Sequence, residues 1–94
     1  METFPTAHLT LQDVRVVAVF PPSSFDLKTA AERQRVHTAL QNCAARAGLA
    51  GDVVVVWRDR YGTTKFIAPP QQHPFFQIAK YEQLYAQVNG AIDC

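Results

Sequence analysis

The sequence predicts an α+β fold, a two-layer sandwich in β-α-β-β-α order with a three-stranded mixed sheet and two helices. Three observations carry this reading. Four consecutive valines, Val53 to Val56, stand between Gly51-Asp52 and Trp57-Arg58 and read as a strand covered on both faces. From Ala30, the positions Val36, Leu40, Cys43, Ala44 and Ala47 recur at helical spacing, with Arg33, Arg35, Gln41 and Arg46 in other directions. Asp59-Arg60-Tyr61-Gly62 is a tight-turn sequence, with glycine where positive φ is needed.

Taken in order, residues 1–7 read as a lead with little structure, and His8 to Leu11 alternates weakly enough to allow a short extra N-terminal strand. Gln12-Asp13 reads as a bulge or turn before a β-branched strand from Val14 to Phe20. Pro21-Pro22 ends that strand, because proline donates nothing to a ladder. Thr29 and Glu32 form a capping box at the start of the first helix, with Asp26 as an alternative cap, and Gly48 followed by Leu49 suits a Schellman stop. Thr63 to Ile67 returns from the turn as an antiparallel partner of the valine strand. Ala68 to Pro74 is an extended connector into a second helix running from Phe75 through Ile78, Tyr81, Leu84 and Val88, stopped at Asn89-Gly90. The last four residues read as a frayed tail. Strands joined through a helix should lie parallel, and the hairpin strands antiparallel.

A chain of 94 residues is expected to form one domain, 1–94. The net charge of +1 argues against a strong sequence-independent hold on nucleic acid. Met1 to Pro5 lacks the basic start and apolar core of a signal peptide, and no apolar run approaches a membrane span, so a soluble, cytoplasmic protein is expected. Cys43 and Cys94 suggest neither a disulfide framework nor a zinc site, and Cys43 reads as a small core residue. His8, His37 and His73 match no metal-ligand spacing, and no metal or cofactor is expected. Ser23 and Ser24 stand in no nucleophile elbow, the glycines form no phosphate loop, and the carboxylates are spread singly; the balance leans away from an enzyme.

Three functional readings follow. The leading one is a small non-catalytic protein-interaction or oligomerisation module, a homodimer or accessory subunit. It rests on the alternation of Val53, Val55 and Trp57 against Val54, Val56 and Arg58: both faces are apolar, and two helices on one face would leave the other bare. Its interaction residues are Val54, Val56, Trp57 and Phe66. The second is a nucleic-acid-binding domain using the basic and aromatic hairpin residues Arg58, Arg60, Tyr61 and Lys65. The third is a small-molecule binder or enzyme around Gln71, Gln72 and His73, where amides and an imidazole meet Phe75 and Phe76.

Overall fold

The computed structural model describes residues 2–11, 13–49 and 51–94. Its strands are β1 (Thr3–Leu11), β2 (Val14–Val19), β3 (Asp52–Arg58), β4 (Thr64–Ile67) and β5 (Gly90–Asp93). Its α-helices are α1 (Ala30–Arg46), α2 (His73–Ile78) and α3 (Tyr81–Tyr85), with 3-10 turns at Ser23–Leu27 and Pro70–Gln72. The five strands form one mixed sheet in the order β4-β3-β2-β1-β5. β2 and β3 are parallel, and the other neighbouring pairs are antiparallel. The mixed α+β class therefore holds, while the expected strand and helix numbers are corrected.

The N-terminal lead is a full strand. Pro5 is tolerated inside it because the Pro5 carbonyl still accepts the Phe20 N–H, and its missing N–H falls just beyond the end of β2. Asp13, at φ 65°, turns β1 back into β2 with Leu11 opposite Val14; Gln12 of the expected bulge or turn lies outside the described residues. The frayed tail is likewise corrected. β5 pairs with β1, and the Glu2 and Cys94 backbones exchange hydrogen bonds at 2.9 and 2.8 Å.

Local signals set α1 as expected. Thr29 Oγ1 accepts the Glu32 N–H, and the Glu32 carboxylate accepts the Thr29 N–H. The backbone N–H of Thr29 holds the Glu32 carboxyl below its ordinary range. At the other end, Leu49 N–H reaches Ala44 O and Gly48 N–H reaches Ala45 O, completing a Schellman cap with Gly48 at φ 76°.

The layering departs from the two-layer expectation, because helices cover both faces of the sheet. On one face α1 and the first 3-10 turn place Phe25, Leu40, Cys43 and Ala44 over Val17, Val19, Val53, Val55 and Trp57. On the other, α2 and α3 place Phe76 and Leu84 over Val16, Ala18, Phe20, Val54 and Val56. The connector Ala68 to Gln72 leads from the end of β4 to α2 on this second face. The expected second helix is broken at Ala79 and Lys80, both extended. No proline or glycine marks the break; it follows tertiary contacts in which Tyr81 N–H donates to Thr64 Oγ1 and Tyr81 and Tyr85 pack against Phe20.

Cys43 is a buried core residue, and it is also bonded to Cys94, which corrects the reading without a disulfide. The bridge joins α1 to the segment after β5 across a sequence separation of 51. No helix among the described residues is long and apolar enough to cross a membrane.

Candidate functional site

Val54 and Val56 are fully buried beneath α2 and α3, so they present no surface to a partner, and the bare sheet face that suggested them does not exist. Phe66 is placed differently, on β4 at the free edge of the sheet, while Trp57, on the neighbouring β3, is buried and lines a groove beside that edge. β4 is the terminal strand, and Asp59 N–H bonds Thr63 O at the mouth of the hairpin. Alternation along an antiparallel pair then turns the backbone groups of Lys65 and Ile67 toward β3, and those of Thr64 and Phe66 away from it. Among the described residues, no backbone group meets these outward N–H and C=O groups.

A groove of about 530 Å³ runs along this edge, lined by Thr64, Lys65, Phe66 and Ile67 of β4, Arg33 and Gln34 of α1, Trp57 and Gln77. None of the described residues lining it is acidic. Trp57 is held rigidly: its Nε1–H donates to Asp26 Oδ1 at 3.1 Å, Phe25 meets it edge-on at 4.8 Å, and the Arg33 guanidinium lies 5.5 Å from its ring centre. Arg33 is itself anchored through donation to the carbonyls of Asp26 and Lys28. The ring of Phe66 turns to the other face, where it meets His73 and Phe76.

The four hairpin residues do not form one patch. Lys65 stands opposite Trp57 and Arg58 opposite Thr64, which places the two cations on opposite faces. Arg58 is paired with Glu82 at 3.0 Å and lies over the Tyr81 ring, while Lys65 approaches Asp59 at 4.0 Å. Burial raises the Tyr81 pKa, and the Arg58 charge opposes that shift. Asp59 Oδ1 accepts the N–H groups of Tyr61 and Thr63, so this carboxylate shapes the turn. Arg60 and Tyr61 remain exposed at the tip.

Of the third group, His73 is committed to structure. Its Nε2 is 2.8 Å from Ala68 O and its ring packs on Phe66, holding the connector against the start of α2. Gln71 and Gln72 instead line a cavity of about 390 Å³ with Thr10, Leu11, Val14, Pro74 and Phe75. Gln72 is buried, and neither atom of its amide has a partner among the described residues. Composition around Gln71 and Gln72 was a usable signal for this cavity; Thr10, Leu11 and Val14 were not foreseeable, since the β1–β2 hairpin brings them there.

His8, His37 and His73 sit on separate elements, and no three potential metal ligands cluster among the described residues. Comparison with protein-family models, curated proteins and solved structures returns no match.

Proposed function

We propose that the protein is a small non-catalytic interaction module that takes an extended segment of a partner protein onto the free edge of β4. The observation that carries this reading is the outward-facing backbone of Thr64 and Phe66, set in a groove with a rigid tryptophan. A strand added there gains main-chain hydrogen bonds, and the pockets beside alternate side chains supply selectivity. The partner residue opposite Lys65 lies on the face of Trp57 and Arg33, so an acidic side chain suits that position.

The same charge weighs against a second copy as the occupant. Antiparallel pairing of two β4 edges through Thr64 and Phe66 would set Lys65 opposite Lys65, a like-charge contact. An accessory-subunit role is therefore favoured over a homodimer. The Cys43–Cys94 bridge favours an oxidising compartment over the cytoplasm expected from the sequence.

The test is residue-resolved amide exchange with an acetylated peptide of alternating valine and glutamate as the probe. The expected result is slower exchange at Thr64 and Phe66, abolished by Lys65→Glu at unchanged melting temperature. Protection that appears without peptide and rises with protein concentration would replace the partner by a second copy. Exchange at both amides unaffected by peptide and by protein concentration would overturn the edge-binding reading.

A further inference from the structure

The cavity beside Gln72 lies apart from the β4 edge and has its own chemistry. Its lining combines apolar surface from Leu11, Val14, Pro74 and Phe75 with the polar side chains of Thr10, Gln71 and Gln72. No charged residue lines it among those described, which disfavours an anion or a metal ion as occupant. Its volume, about 390 Å³, is in the range of small-molecule sites.

Gln72 is the informative residue. It is 5% exposed, yet Nε2 and Oε1 both lack a hydrogen-bond partner among the described residues. Interiors rarely leave both a donor and an acceptor of one side chain unmet, because each loses its hydration on burial. The backbone around it is well tied: Gln72 N–H bonds Pro69 O, and His73 holds Ala68 O. The backbone that carries the amide is thus fixed. Its two atoms have almost no exposure, so a ligand meets them after a torsional rotation of the side chain toward the cavity.

We propose that this cavity binds a small, neutral, planar molecule carrying a cis-amide edge, such as a lactam or a nucleobase, through paired hydrogen bonds to Gln72. A primary amide shows its N–H and C=O side by side, so its best complement shows a C=O and an N–H side by side in return. The ring of such a ligand packs between Leu11, Val14 and the partly exposed Phe75.

The experiment is an NMR titration of the full chain with 2-pyridone, with N-methyl-2-pyridone, which lacks the donor, and with N-methylacetamide, which stands for a trans peptide amide. The expected result is that 2-pyridone shifts the Nε2 protons of Gln72 together with Leu11, Val14 and Phe75. N-methyl-2-pyridone should bind about tenfold more weakly, the value of one lost hydrogen bond. Gln72→Met should remove this difference, and Phe75→Ala should weaken both pyridones while keeping it. The wild-type Gln72 resonances decide the matter even where a variant fails to fold. Equal affinity for the two pyridones, N-methylacetamide binding as tightly as 2-pyridone, or no shift at these residues at millimolar ligand would each overturn the proposal.

Discussion

The side-chain oxygen of Gln41 accepts the backbone N–H of Val53 at 2.9 Å, so a helix residue takes a place that a neighbouring strand would otherwise fill. β4 pairs with β3 from Val55 to Arg58, which leaves the start of β3 unpaired on that side. α1 meets the need from above: Gln41 takes the Val53 N–H, and His37 Nε2 lies 2.8 Å from the Val53 carbonyl. Thus β4 can be short, with the rest of the β3 edge closed by side chains.

Gln41→Met should preserve the packing of α1 but leave the Val53 donor unmet. Urea unfolding is expected to show a loss of about 1 to 3 kcal/mol, against a negligible change for the exposed Asn42→Ala.

The glycines at 51 and 62 should respond very differently to alanine. A Cβ at Gly51, with φ +119°, would collide with the Arg15 carbonyl, whereas one at Gly62, with φ +80°, meets nothing within 4 Å. Gly62→Ala is expected to cost about 1 to 2 kcal/mol for its left-handed backbone alone. Gly51→Ala should lower the melting temperature much further; equal losses would mean that the β2–β3 approach is looser than described.

Cys43→Ser with Cys94→Ser, or reduction of the native chain, should destabilise the fold by about 2 to 4 kcal/mol, as expected for a long loop opened in the unfolded state. Amide exchange should accelerate first in β5, which pairs with β1 alone and is otherwise held by the bridge and by Ile92 in the core.

Both faces of β3 should be intolerant of charge. Val54→Asp and Val55→Asp are each expected to prevent folding, since both valines are fully buried, on opposite sides. Leu40→Ala should cost about 2 to 4 kcal/mol by chemical denaturation. A folded Val54→Asp variant with a native-like circular dichroism spectrum would show that α2 and α3 leave the sheet open.

Acid should weaken the α1 cap. The Glu32 carboxyl titrates below its ordinary value in the folded state, chiefly through the Thr29 N–H. A lowered folded pKa gives a contribution present above the unfolded value and lost as pH falls through the folded one. Glu32→Gln keeps the acceptor and removes the titration, so its stability curve should be flatter than the native one across that acidic window.

Residues that act on their immediate neighbours were legible in the chain itself. Thr29 with Glu32, Gly48 with Leu49, and Asp59 with Gly62 form their cap, stop and turn through bonds spanning at most a few residues. The valine strand announced burial on both faces by composition, and both faces are buried. Which elements bury them was decided only in three dimensions. The division of residues 73–85 into two helices follows from Thr64, Phe20 and the sheet they belong to, all distant in sequence. The first half of β1 and all of β5 were hidden because Pro5 and the brevity of Gly90–Asp93 weaken any local strand signal, and these two segments pair with each other; the strand expected at His8 to Leu11 is the second half of β1, paired with β2. The disulfide was hidden for the same reason, since Cys43 and Cys94 come within bonding distance only after β5 has joined the sheet. The free edge at Thr64 and Phe66 and the unmet amide of Gln72 likewise belong to the assembled fold, because an unpaired group exists only once its surroundings have closed.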